Sequence, residues 1–199
     1  PTHPELLDWL ATRLVAEGWS LKKLHRLMVT SATYRQDSNH PTAEQADPAN
    51  TWFARATVQR MDAEQIRDSL LAASGDLNLK TGGASEDGAR SVRRSVYLKV
   101  MRNKPDAVLA AFDAPDRISH MPQRTITTTP TQSLLLLNSD WARQRANAFA
   151  RRLHKLHPGD PKAQVRAAHQ LTFGREPSVE HLASGIAYLN LGGEVAANP

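Results

Sequence analysis

A helical period returns segment after segment in this chain, each time between a residue that starts a helix and one that stops it, and this limits the fold more than any other feature. Over residues 4–17, Leu6, Leu7, Leu10, Leu14 and Val15 recur at three-to-four spacing beside Trp9, with Thr2 and Glu5 in capping-box positions and Gly18 as the stop. Ser20 then caps a second helix carrying Leu21, Leu24, Leu27 and Met28 on one side. A connection this tight favours two antiparallel helices.

Further along, Asp62 with Gln65 predicts a capped helix whose apolar face is Ile66, Leu70 and Leu71, ending at Gly75. Residues 105–112 fit a short helix. Thr129-Pro130 opens one through the apolar run Leu134 to Leu137, which reads as buried, and Ser139 caps another over residues 140–154. The last two helices run from Val165 to Phe173, stopped by Gly174, and from Ser178 through Leu191, where Gly192-Gly193 is the expected stop.

Between these, residues 34–50 read as a connecting loop, followed by a brief helix start at Asp47-Pro48 that carries Trp52 and Phe53. Residues 80–91 are rich in glycine and small residues and read as an exposed loop. Val96, Leu98 and Val100 alternate with Tyr97 and Lys99, the period of a strand, and the β-branched residues 125–129 are its natural partner. The expected fold class is therefore mainly α: a single helical domain over 1–199, built of antiparallel helices, with at most a small two-stranded β element.

Composition removes several functions. Cysteine is absent, so disulfides, thiolate metal sites, a cysteine nucleophile and covalent attachment of c-type haem to this segment are excluded. The longest apolar run is far short of the roughly 18 residues that cross a bilayer. An excess of 25 basic over 20 acidic residues, formally +5, suggests anionic neighbours, but no nucleic-acid motif accompanies it. The eight histidines include no His-Glu-x-x-His, and His154 with His157 fit a helix C-terminus better than a metal site, so no metal is expected.

The densest polar set is Asp113, Asp116, His120, Arg124, Thr128, Thr129 and Gln132. A helix opening after Thr129 leaves backbone N–H groups and a positive dipole end near Arg124, suited to a carboxylate, sulfate or phosphate. The same residues have a structural alternative: Thr129 caps its helix while Asp113 and Asp116 hold a turn at Pro115. Arg93, Arg94 and Arg102, within a basic stretch without acids, are candidates for docking an acidic partner, or are a solvated face. The tryptophans, Trp9, Trp19, Trp52 and Trp141, are expected in the core, with Trp52-Phe53 alternatively an exposed stacking platform.

Several stretches in order carry a family resemblance. These are His3-Pro-Glu-Leu-Leu-Asp-Trp-Leu-Ala, Leu27-Met-Val-Thr-Ser-Ala-Thr-Tyr-Arg-Gln, Arg60-Met-Asp-Ala-Glu-Gln-Ile-Arg-Asp, Arg94-Ser-Val-Tyr-Leu, Phe112-Asp-Ala-Pro-Asp, Thr127-Thr-Thr-Pro-Thr-Gln-Ser-Leu-Leu-Leu-Leu-Asn and Leu171-Thr-Phe-Gly-Arg-Glu-Pro. Together they resemble the planctomycete-type C-terminal domain of unknown function found in exported multidomain proteins with c-type cytochrome modules. The resemblance implies an extracytoplasmic place and a haem held elsewhere in the parent protein, with no cofactor in this segment. It further implies that the chain begins inside the domain, without its native upstream segment. It brings no catalytic residues, although Tyr34, Arg35, Asp62, Arg67 and Asn138 match its pattern alongside Asp113, Asp116, Thr128 and Gln132.

The expected function is a non-catalytic accessory or interaction module of a larger exported cytochrome-type protein, whose partners are the parent's other domains, an acidic protein or a polysaccharide. The alternative is a hydrolase-type domain acting on polysaccharide or another anionic substrate, with Asp113, Asp116, His120 and Arg124 as its polar centre.

Overall fold

The computed structural model describes residues 2–88, 90–115, 120 and 122–196, with side chains described as far as residue 191. Among them helices dominate and no strand forms. The chain divides into two compact units, residues 1–60 and 61–199.

The first unit is built on α1 (Pro4–Ala16) and α2 (Leu21–Thr30), which pack on each other. Gly18 and Trp19, both at positive φ, make the turn between them. Ser20 caps α2 by accepting from Lys23 N–H at 3.4 Å. A short α3 (Pro41–Ala46) follows, within the segment expected to be a loop, because His40 Nδ1 accepts from Ala43 N–H and Pro41 supplies a preset first residue. The helix expected at Asp47-Pro48 does not form. The buried Asp47 carboxylate instead accepts from Trp52 N–H at 2.7 Å, and Asn50 and Arg55 close the turn through Arg55 N–H, Arg55 O and Pro48 O. Asp47 bonds its own turn in preference to starting a helix.

The second unit centres on α4 (Ala63–Ser74), which packs against α5 (Ala107–Ala111) and α7 (Asp140–Leu156). Asp62 and Gln65 form the expected capping box, with Asp62 N–H donating to Gln65 Oε1 at 2.9 Å. Its buried stripe is Ala63, Arg67, Leu71 and Ser74, turned from the Ile66–Leu70–Leu71 face expected from apolar residues alone. An arginine therefore occupies a core position. Ala63 joins Val108 and Phe112 in the core, edged by Ile66, Leu135 and Trp141.

Around this centre, α6 (Pro130–Asn138) packs on α5 and α7, and α8 (Pro161–Phe173) joins α7 to α9 (Val179–Ala196). Val165 of α8 is buried against Gly185, where an added Cβ would meet Val165 Cγ1 at 2.9 Å. The small residue is what lets α8 and α9 approach so closely. The double glycine at 192–193 does not stop α9, which continues to Ala196. Gly75 ends α4 at φ +82, and Arg152 of α7 donates to the last-turn carbonyls of Ala72 and Ala73 at 2.8 and 2.7 Å.

The expected strand over residues 96–100 is a single 3-10 turn, Ser95–Tyr97, and residues 125–129 do not pair with it. The reason is local: Ser95 N–H is taken by the Asp68 carboxylate at 2.8 Å, so the segment bonds to a helix side chain where a strand would need a neighbour. Only isolated bridges, Asn78 with Arg93 and Glu86 with Leu98, form among the described residues.

The core is thin. Four of the nine buried apolar residues among those described are alanines. Trp9, Trp19 and Trp52 are exposed at 52%, 71% and 69%, and the expectation of a tryptophan core holds only for Trp141, half-buried in α7. Leu134, Leu136 and Leu137 are likewise exposed, contrary to the buried reading of that run, because α6 turns only Leu135 and Gln132 inward.

Candidate functional site

Two polar clusters organise the second unit, and each begins with one helix position. The first surrounds Arg67, which is 1% exposed. Its guanidinium donates to Ser91 O at 2.6 Å, Arg93 O at 2.9 Å and Ser95 Oγ at 3.3 Å. Asp68, the next residue on α4, accepts from Ser95 N–H and from Ser95 Oγ at 2.7 Å, and lies 3.4 Å from Arg67 Nη1. Burial pulls the Arg67 guanidinium below its ordinary value, opposed by the charges of Asp68 and Asp106. This arrangement fastens residues 91–95 across α4.

Arg93 extends the same system outward. Its Nη2 donates to Gly82 O at 2.5 Å and Lys80 O at 3.2 Å, its Nη1 donates to Ala84 O and Glu86 Oε1, and its guanidinium lies 4.0 Å from the Tyr97 ring centre. The loop over residues 80–88 is thus wrapped around an internal cation. Glu86 is held below the usual carboxylate range by the Ser91 hydroxyl first and by Arg93. Arg93 cannot serve as the docking residue expected from its place in a basic stretch, because it is 4% exposed and its Nη1 and Nη2 are engaged by loop carbonyls and Glu86. Arg94 and Arg102 are exposed.

The second cluster forms where residues 125–129 meet Asp113. The Asp113 backbone is held at φ +63, and its carboxylate accepts from Thr127 N–H and Thr127 Oγ1 at 2.8 Å each and from Gln132 Nε2 at 3.4 Å. Gln132 is buried, and its Oε1 accepts from Thr129 N–H at 3.4 Å in the capping box of α6. Asp113, Thr127, Thr129 and Gln132 therefore converge as a clasp that joins the end of α5 to the start of α6.

Arg124 does not join this clasp. It forms a two-pronged pair with Glu64 at 2.6 and 3.0 Å and lies 3.7 Å from Asp62, and the bond to Glu64 raises its pKa. The anion site drawn from the sequence needed Arg124 beside the first amides of α6. The arginine instead neutralises carboxylates at the start of α4. Thr128 and His120 are exposed, and Asp116 lies outside the described residues.

A recess of about 850 Å³ opens beside the Arg124–Glu64 pair, with Asp68, Arg94 and Val96 on its walls. A neighbouring one of about 410 Å³ is lined by Lys99, Arg102, Asp106 and Leu109 among others. The carboxylates at these walls are already engaged: Glu64 by Arg124, Asp68 by Ser95, and Asp106 by the Val108 and Leu109 amides that it caps. Among the described residues no three histidine, aspartate or glutamate side chains gather as a metal-binding group.

Comparison with known proteins gives a family and no more. The pattern of the family described as "PSD1: Protein of unknown function (DUF1553)" matches residues 1–189. The chain belongs to that family. No curated protein and no solved structure matches it.

Arg67 and Asp68 were visible in the sequence only as members of the Arg60-Met-Asp-Ala-Glu-Gln-Ile-Arg-Asp stretch. Their spacing did carry a usable signal, since Ala63, Arg67 and Leu71 recur every four residues and share one face of α4.

Proposed function

We propose that this chain is a non-catalytic accessory or interaction module of a larger exported protein whose other modules carry c-type haem. The observation that carries this reading is the amount of large apolar side chain left facing solvent. Neither α1 nor α2 contains a buried residue, although together they hold Leu6, Leu7, Trp9, Val15, Leu21 and Met28, all more than 40% exposed. Large apolar side chains exposed in this number on two short helices mark a region where another protein surface packs. A second support is the employment of the polar groups: the clusters around Arg67, Arg93 and Asp113 act as struts between segments. The haem neighbour and the extracytoplasmic location rest on the resemblance of the motif series alone.

Cross-linking mass spectrometry on the parent protein tests the reading. Lys22 and Lys23 should link to lysines outside this chain, and the isolated chain should release no reducing ends from neutral or sulfated polysaccharides. Turnover by the isolated chain that is lost in Asp113→Ala, or lysines that link only within the chain, would overturn it.

A further inference from the structure

One side of the α1–α2 pair is a groove with a definite chemistry. Leu14, Leu24 and Leu27 make its floor, and the recess measures about 300 Å³. Leu6, seven residues before Arg13 and so on the same stripe of α1, is 45% exposed. The rim is cationic, formed by Arg13 from α1 and by Lys23 and Arg26 from α2.

The acidic group at this rim is Glu17, which bonds Arg13 and Lys23 at 2.9 Å each. Among the described residues no carboxylate pairs with Arg26. The sequence of α2 contains Lys22, Lys23, His25 and Arg26 and no acid at all. A groove with a leucine floor and a net positive edge selects its occupant twice, by an apolar seam and by negative flanks.

We propose that this groove binds an acidic amphipathic helix, one whose leucine-type residues recur at i, i+3, i+4 and i+7 and whose flanking positions carry glutamate or aspartate. Two packed helices of 13 and 10 residues are short for independent stability, and a third helix laid in their groove buries the leucine floor that solvent otherwise covers. A second copy of this chain is a poor occupant, because its own charge is +5. The proposal rests on the interaction-module reading and names the chemistry of the partner.

The test uses the whole chain and a labelled synthetic helix of about 18 residues with a leucine seam and glutamate flanks. Fluorescence anisotropy is compared with the same seam flanked by lysine, with a scrambled glutamate peptide, and with phosphatidylglycerol vesicles. The glutamate-flanked helix should bind at least tenfold more tightly than the lysine-flanked one, and the scrambled peptide should not bind. In the double variant Arg13→Glu, Arg26→Glu the preference should reverse toward the lysine-flanked helix, a gain that a misfolded protein does not give. Equal binding of the two helices, an unreversed preference in the variant, or binding to vesicles alone would overturn the proposal. Failure here with cross-links to the parent still present would leave the interaction-module reading standing, with a different docking face.

Discussion

Replacing Arg67 by methionine is the most direct test of how the second unit is held together. Methionine keeps most of the aliphatic stem inside the α4 stripe and removes the guanidinium, so the packing loss is small. What is lost is the pair of donors to Ser91 O and Arg93 O, which lie against buried residues at 2.6 and 2.9 Å. A buried acceptor left without a donor costs about 1–3 kcal/mol, so two cost roughly 2–6 kcal/mol. Asp68 keeps its bonds from Ser95 N–H and Oγ and is not orphaned, while removing a buried cation returns part of its desolvation energy. The net expectation is a loss of about 3 kcal/mol, a large share of the 5–15 kcal/mol typical of a folded domain. Urea unfolding followed by far-UV circular dichroism reads the loss, and amide exchange locates it at residues 91–95. Arg67→Lys should recover little, since one ammonium cannot span both carbonyls. A loss below about 1 kcal/mol with unchanged exchange at Ser95 would refute the reasoning, because it would mean that those carbonyls have other donors.

Three further outcomes follow from the same geometry. Asp113→Ala should lower stability by about 2–3 kcal/mol and speed exchange of the Thr127 amide, whereas Asp113→Asn should cost less, since asparagine tolerates the positive φ and still accepts one bond; thermal unfolding of the two variants checks the order. Gly185→Ala places a methyl group 2.9 Å from Val165 Cγ1, so overpacking of about 1–3 kcal/mol should outweigh the helix propensity gained; a higher Tm would contradict the close α8–α9 contact. The Glu17 pKa is lowered from 4.5, first by its bond to Lys23 and then by the charges of Lys23 and Arg13, so its contribution is present above the unfolded value and is lost as pH falls through the lower folded value. An acid titration of tryptophan fluorescence should show that loss in the native chain and not in Glu17→Gln.

Helices were the legible part of the fold because their signals are local. A serine or aspartate before an apolar period fixes where α2, α4 and α7 begin, and a glycine after it fixes where α4 and α8 end, whatever surrounds them. Val96-Leu98-Val100 misled for the opposite reason: alternation shows which side chains can face one way, but a strand needs an edge to pair with, and Asp68 had already taken the Ser95 amide. The polar site divided along the same line. Asp113, Thr127, Thr129 and Gln132 lie close in sequence and do meet, while Arg124 left them for Glu64, 60 positions away.

Sequence by itself determined the class of fold, the caps at Ser20, Asp62, Thr129, Ser139 and Ser178, though not one at Thr2, and the absence of every chemistry that needs cysteine. Only the tertiary structure decided that Arg67 and Arg93 point inward and that Trp9, Trp19 and Trp52 face water. The physical reason is that burial belongs to pairs of surfaces. An arginine enters a core when carbonyls from a distant loop close on its guanidinium, and a tryptophan stays outside when no other element of the chain covers its face.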